Sequence, residues 1–549
     1  MQEERYEQSP SPKPERKARL LRWLTYTAGF VLTFLFGIFV SLFLGLGGQR
    51  GPSGKLGEIY SLIQEYYVDS ANLDSLTEQA LPLILAQLDP HTAYLNAEEN
   101  KVSTESLEGS FAGIGVQFNT LLDTVVVVRV IEGGPSERAG LKAGDRILKA
   151  DTTNLVRDSI TSEEIMKALK GPEDTVVRLT VRRGGKTFIA SVVRGAVPVS
   201  TIDAAYMIRP HVLYLRLNKW GAQTPIEFQQ AYADHSAEGV ERILIDLRDN
   251  VGGYLQAATA LATEFLSKGD LLVYNKGAHY PREDFKSPRD GRLKEIPLSI
   301  LVNENSASAS EIFAGAMQDL DRALIVGRRT FGKGLVQVPF ELRDRSVVRL
   351  TVARYYTPSG RSIQKSYAKG FEAYAEDIED RYLHGELYSA DSISRPDTTR
   401  YYTRMGRVVY GGGGITPDIF TPRDSVGINT YYLRLLRSGT FQRFAFTYAD
   451  RERSRLSALG SDKAILDHLQ AQGDQIVYAY ASYAQQHGVP QRPGHLQESL
   501  PILRRDLVAL IADMLGGDKN AYYRARNEQD LEVLTALERL TSPQWRPTK

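Results

Sequence analysis

No cysteine occurs among the 549 residues. That excludes a thiol nucleophile, a thiolate-bound metal and any disulfide. An excess of one charge is also missing. Lys and Arg total 67 against 66 Asp and Glu, a formal net charge of +1, so no nucleic acid or acidic partner is indicated. Histidine is scarce, at His91, His211, His235, His279, His384, His468, His487 and His495. None sits in an HExxH or other clustered ligand spacing, so neither a metal nor a cofactor is expected. None sits in a local motif that would supply the base of a Ser-His-Asp triad, and His91, in LDPHTAYL, reads as structural.

What is present begins with an uncharged run. Residues 24–46, LTYTAGFVLTFLFGIFVSLFLGL, carry no charge and would span about 34 Å as a helix, close to the ~30 Å hydrocarbon core. The tail 1–23 carries Lys13, Arg16, Lys17, Arg19 and Arg22, against Arg50 and Lys55 soon after the run. That bias places the N-terminus in the cytoplasm. A cleaved signal peptide would have a shorter apolar region ending in a small-x-small site. The expectation is a single-pass signal anchor in the inner membrane, with the remainder periplasmic.

Residues 47–101 read as a Gly-rich linker followed by helices, with Leu56, Ile59, Tyr60, Ile63 and Tyr67 at helical spacing. From 102 to 194 the period changes to strand, in FAGIGVQFN, DTVVVVRVI, TVVRLTVRR and KTFIASVVR. GIGV at 113–116 and AGLKAGDRIL at 139–148 make this block similar to a PDZ domain. Such domains take an extended peptide at a sheet edge and hold its terminal carboxylate on backbone N–H groups. Gly113, Ile114, Gly115 and Val116 are the expected peptide-binding loop.

Residues 195–425 alternate buried strands (VLYLRL, RILIDLR, LSILVN, ALIVGR) with helical segments. That order predicts an α/β core with a central sheet, interrupted by a tyrosine-rich insertion at 366–409. Residues 426–549 read as a helical region. The fold class is thus an α/β core with an inserted α+β PDZ domain, an N-terminal transmembrane helix and a helical C-terminal region.

The chemistry concentrates in NSASASEIFAGAMQD at 305–319 and TFGKGLVQV at 330–338. A strand-to-helix turn exposes a nucleophile near the positive end of the helix dipole. Ser306, Ser308 and Ser310 all occupy that turn, and Ser308 with Glu311 also fits a capping box. Lys333 stands between two glycines, which suits a lysine turned inward, where its pKa falls. A neutral lysine can serve a serine as general base without any histidine. Gln337 would share the face of Lys333 if the strand already runs there. The Ala309 N–H is one expected oxyanion donor, with Gly252 or Gly253 of LRDNVGG as the second. Gly327 to Lys333 matches most of a P-loop, but Gly334 replaces the metal-binding hydroxyl and a strand follows instead of a helix.

Together SASASEIFAGAMQD, DRALIVG, TFGKGLVQ, ARYYTPSGRSIQK, GITPD, LRDNVGG and LDPHTAYL resemble the carboxyl-terminal processing, or tail-specific, serine proteases over roughly 55–425. The GNSGG-type loop of trypsin-like PDZ proteases is absent. The resemblance implies a serine endopeptidase with Ser308 as nucleophile, Lys333 as general base and Gln337 orienting the lysine. It implies protein substrates with apolar C-terminal tails, recognised by a gating PDZ domain, and it assigns Arg183 to the gate. Val251 stands where the family's usual turn has proline. Homodimerisation through terminal helices occurs in relatives. A PDZ adaptor or chaperone on a degenerate protease fold is the alternative of another class.

Overall fold

A computed structural model describes residues 53–542 except 121–123, 158–159, 396 and 516–518, together with positions 23, 29, 31–33, 35–36 and 545. The basic tail and the apolar run 24–46 therefore lie mostly outside the described residues. Among the described residues no helix is long and apolar enough to cross a membrane. The chain divides into two compact units, 1–81 and 82–549. In the first, helix Ser53–Tyr66 bears the apolar spacing noted above, and Thr77 Oγ1 donates to Tyr60 Oη at 3.0 Å.

In the second unit the continuous apolar runs form one sheet, as strands buried on both faces require. Its order is Ile202–Arg209, Val212–Leu217, Arg242–Asp246, Leu298–Val302, Leu324–Gly327 and Ile419–Phe420. The first pair is antiparallel and the rest are parallel. Successive side chains point to opposite faces. Leu213, Leu215, Ile243, Ile245 and Ile300 enter one core together with Leu261 of helix Leu255–Thr263 and Phe313 of helix Ala309–Asp319. Tyr214, Leu244, Leu301 and Val326 enter another, closed by Val533, Leu537 and Leu540 of helix Leu531–Thr541. The end of the C-terminal region is thus part of the α/β core, which the expected boundary at 426 had separated from it.

A second, antiparallel sheet accompanies the first, where the sequence predicts a single one. Ala93–Leu95, Val347–Tyr356, Leu271–Lys276 and Glu283–Lys286 lie in that order, with Leu335–Glu341 also paired to Val347–Tyr356. These strands are partly exposed, so they lack the unbroken apolar signature of the central sheet. The insertion 366–409 folds as helices Phe371–Ala375 and Asp377–Leu383 and a short hairpin.

Residues 116–193 form a six-stranded antiparallel sheet around Val125, Val127, Ile147, Val177 and Val181. Helix Ser162–Leu169 turns Ile165 and Leu169 inward. The start differs from expectation, because 97–108 is a helix. Asn96 caps it by accepting from the N–H groups of Glu98 and Glu99. Ser110–Gly113 then pairs with Gly195–Pro198, so the entry and exit of the domain are zipped into one ribbon. Val126 projects into the core of the C-terminal helices, and Arg129–Asp513 and Arg146–Asp450 pair at 3.3 and 2.6 Å.

Candidate active site

Burial separates the three serines. Ser306 Oγ donates to the Leu247 carbonyl at 2.8 Å and accepts from Asn303 N–H at 2.9 Å. Ser310 Oγ donates to the Asn250 carbonyl at 3.0 Å and accepts from Trp220 Nε1 at 2.9 Å. Both are fully buried and hold the turn together. Ser308 is only half-buried, and its hydroxyl donates to no acceptor among the described residues. Its backbone sits at φ 57°, ψ −116°, a conformation that side-chain-bearing residues rarely adopt and that functional turns hold under strain. Gly252 makes room for it. A Cβ there would lie 2.8 Å from Ser308 Cβ and 2.9 Å from the Ala307 carbonyl.

Glu311 ties this turn to the lysine segment. One carboxylate oxygen accepts from the N–H groups of Ser308 at 2.9 Å and Lys333 at 2.8 Å. Two nitrogens bound to one oxygen lie within ~6 Å of each other. The other oxygen accepts from Thr330 Oγ1 at 2.5 Å and Gly332 N–H at 2.7 Å. The expected cap residue is therefore also the bridge between both candidate catalytic segments. Complete burial pushes its pKa up to about 7, against the pull of the four donors. The same bonds dispose of the P-loop resemblance, because the N–H groups of Gly332 and Lys333, which a phosphate would need, already hold a carboxylate.

Lys333 Nζ donates to Gln337 Oε1 at 3.0 Å, and no carboxylate lies within ion-pair distance of it among the described residues. Burial, then the charge of Arg349, holds its pKa below the ordinary lysine value. The strand starts at Leu335, so the shared face expected from strand alternation is not what joins these residues. A register shift between Val336 and Gln337 accompanies the meeting. Gln337 Nε2 in turn donates to the His91 carbonyl. No hydrogen bond joins Ser308 Oγ to Lys333 Nζ.

For a developing oxyanion, the Ala309 N–H donates to no acceptor among the described residues. Gly252 fails the expectation, because its N–H is already taken by Asn250 Oδ1 at 3.0 Å. Gly253 instead has an N–H with no acceptor among the described residues. Its φ of 146° and bridge to Trp220 leave no space for a Cβ, which would fall 2.1 Å from the Trp220 carbonyl.

Comparison with known proteins assigns the family of the chain. Residues 211–373 match peptidase family S41, 126–183 match the PDZ domain, and 431–517 match a family of unknown function. A probable CtpA-like serine protease of Staphylococcus haemolyticus is 30% identical over 387 residues, covering 70% of this chain and 76% of the relative. The chain belongs to the CtpA-like serine proteases of peptidase family S41. A Staphylococcus aureus relative of the same description is 33% identical over 311 residues, 56% of this chain. The chain spans 62% of that relative's length. The photosystem II D1 C-terminal processing protease shares 27% identity over 66% of this chain and 85% of its own, with a TM-score of 0.35.

In this S41 chain the PDZ residues form a group of their own. Gly113 pairs with Gly195. The carbonyls of Ile114 and Gly115 accept from Ser136 and Ile131 N–H at 2.8 and 3.0 Å. Val116 opens the edge strand Val116–Asn119, the position an added peptide strand requires. Arg183, the expected gating residue, is engaged within the PDZ domain. It grips both oxygens of the fully buried Asp145 at 2.6 and 2.7 Å and donates to the Gly140 carbonyl at 2.7 Å. A buried carboxylate needs such a counter-ion, and this one turns the arginine inside the PDZ domain. Asn250, Trp220 and the His91 carbonyl join the site without any signal that the sequence reading assigned to catalysis. No group of acidic residues and histidines fit to hold a metal occurs among the described residues.

Proposed function

We propose that this chain is a serine endopeptidase that cleaves proteins near their C-termini, using Ser308 and Lys333 as a catalytic dyad. The observation that carries the reading is the setting of Lys333. Its amine is partly buried, has no carboxylate partner among the described residues and is oriented by Gln337. Its backbone is pinned, through one Glu311 oxygen, to the one serine of the turn whose hydroxyl donates to no carbonyl among the described residues. Neutral Lys333 takes the Ser308 proton as Oγ attacks the scissile carbonyl carbon. The N–H groups of Ala309 and Gly253 receive the oxyanion. The lysine ammonium then protonates the leaving amine, and a water activated by the same amine releases the acyl group. Because Lys333 bonds to Gln337 and not to Ser308, we assign the present arrangement to a resting state that closes when substrate arrives.

The PDZ edge strand and the loop 113–116 support tail recognition, with apolar C-terminal tails as ligands. The uncharged run 24–46 and the basic tail before it support anchoring in the inner membrane with the catalytic region in the periplasm. The exposed apolar side chains of helix Ser53–Tyr66, among them Ile59 and Leu62, are compatible with a homodimer. The test uses the full-length chain and an unfolded protein substrate ending in an apolar tail. Ser308→Ala and Lys333→Ala each abolish cleavage, and wild-type activity rises with pH as Lys333 loses its proton. Full activity in Ser308→Ala would end the dyad reading in favour of an adaptor.

A further inference from the structure

We infer that Tyr374, carried on the insertion 366–409, is a positioning residue for Lys333 and acts through His91 and Gln337. The proposal rests on the Ser308–Lys333 reading above. Gln337 is the sole hydrogen-bond partner of the lysine amine among the described residues, so what fixes Gln337 fixes the base. Its Oε1 faces Lys333 and its Nε2 donates to the main-chain carbonyl of His91. Those two bonds set which way the amide points, since only its oxygen can accept from the lysine.

His91 is held from two sides. On its own loop, Asp89 accepts from the N–H groups of His91 and Thr92 at 2.8 and 2.9 Å, and from Thr351 Oγ1 at 3.1 Å. This fastens the loop to strand Val347–Tyr356, which also pairs Thr351 with Gln337. On the other side the imidazole Nε2 meets the Tyr374 hydroxyl at 2.7 Å, with the two rings edge to face at 5.3 Å. Tyr374 is itself only 5% exposed. Phe331, two residues before Lys333, packs against its ring at 5.9 Å. Lys365 Nζ lies 4.1 Å over the same ring and donates to the Tyr374 carbonyl at 3.1 Å. Asp377 pairs with Lys365 at 3.0 Å.

The charged groups around this chain are consistent with a neutral imidazole. Burial, then the charge of Lys333, lowers the His91 pKa to about 4, with Lys365 acting in the same sense and Asp89 against it. Lys333 is faced by Arg349, Asp89 and Glu311. The insertion thus reaches the proposed base through three hydrogen bonds, Tyr374 to the His91 ring, Gln337 to the His91 carbonyl and Lys333 to Gln337, without touching the reacting atoms.

The test is Tyr374→Phe in the full-length chain, which keeps the ring contacts and removes only the hydroxyl. The expected result is a kcat lowered by about ten- to a hundredfold, the range for a base displaced by a fraction of an ångström, with KM unchanged. The apparent pKa of the rising pH limb also moves. In combination with Gln337→Ala, Tyr374→Phe adds no further loss, because both act on one element. A purely structural tyrosine would lower the melting temperature and leave the pH profile in place. Wild-type kcat and pH profile in Tyr374→Phe, or losses that multiply with Gln337→Ala, overturn the proposal. If Tyr374→Phe does not fold, His91→Ala, which keeps the carbonyl and removes the ring Tyr374 holds, is read by the same criteria. Failure here leaves the dyad standing, whereas an active Ser308→Ala removes the dyad itself.

Discussion

Adding one methyl group at Gly252 should cripple the enzyme without unfolding it. Gly252 has φ +108°, and a Cβ built on it lies 2.8 Å from Ser308 Cβ, 2.9 Å from the Ala307 carbonyl and 3.2 Å from the Ala309 nitrogen. Carbon atoms rest at about 3.5–4.0 Å, so the serine turn must retreat by roughly 0.8 Å. A displacement near 1 Å costs on the order of a hundredfold in rate when it moves a reacting group. Overpacking adds about 1–3 kcal/mol of destabilisation, and the left-handed backbone roughly 1–2 kcal/mol more. Gly269→Ala separates these effects. Gly269 has φ +87° and nothing within 4 Å of a built Cβ, so it carries the backbone cost alone. Both variants are measured by peptide cleavage under single-turnover conditions and by thermal melting. Gly252→Ala should show a far lower cleavage rate than Gly269→Ala, and a melting temperature below that of Gly269→Ala only by the overpacking cost while staying folded at the assay temperature. A Gly252→Ala enzyme as fast as Gly269→Ala would refute the claim that this contact sets the position of Ser308.

Two further outcomes follow from the same geometry. Glu311→Gln keeps the shape but aims an NH2 group at two of the four donors, leaving two buried donors unmet at about 1–3 kcal/mol each. The melting temperature and kcat should both fall, and a variant that melts and turns over like wild type would sink the bridging role. His91 gives a pH signature in stability. Its folded pKa is about 4 against an ordinary 6.5, so as pH falls through that window the unfolded chain takes up a proton that the fold refuses. Stability from this group is full above pH 6.5, declines by about 2 kcal/mol after partial solvent screening, and is steady below about pH 4. Denaturant midpoints at pH 7, 5.5 and 4 should show that decline in wild type and a smaller one in His91→Gln; equal declines would contradict it.

The central sheet was legible because each of its inner strands is an unbroken apolar run, and the helices between them carry their own spacing. Ser308 was harder. Three serines share one turn and one composition, and only the bonds of Ser306 and Ser310 to carbonyls at Leu247 and Asn250 set Ser308 apart. The second sheet was missed because Leu335–Glu341 and Val347–Tyr356 are partly exposed and their alternation is interrupted by a bulge. His91 meets Gln337 through its backbone carbonyl and Tyr374 through its ring, and neither contact is local in sequence, so LDPHTAYL gave no sign of either. Tyr374 reaches it from the far side of the sequence, a pairing that no local pattern contains. DLEVLTALERL was readable as a helix, but an apolar stripe does not say which surface it covers.

That last helix explains why the C-terminal region belongs with the Ser308 turn. Arg248, at the end of the strand leading to Gly252, donates to Asp530 and Glu532 at 2.8 and 2.9 Å. Glu532 also pairs with Arg328, which holds Glu304 at 2.7 Å, four residues before Ser308. Asp249 accepts from Asn303 and Asn305 at 2.8 and 2.9 Å, joining the two loops directly. Burying so many charges is a poor route to stability, since apolar residues of the same volume often do as well. It is an effective route to direction, because each guanidinium donates along fixed N–H directions and its carboxylates accept in a limited set of orientations. The Gly252 turn and the Ser308 turn both end on this network, and helix Leu531–Thr541 closes it. The same C-terminal region receives Val126, Arg129 and Arg146 of the PDZ domain. The part of the chain without a catalytic motif is therefore the one packed against both the PDZ domain and the loops that carry Gly252 and Ser308.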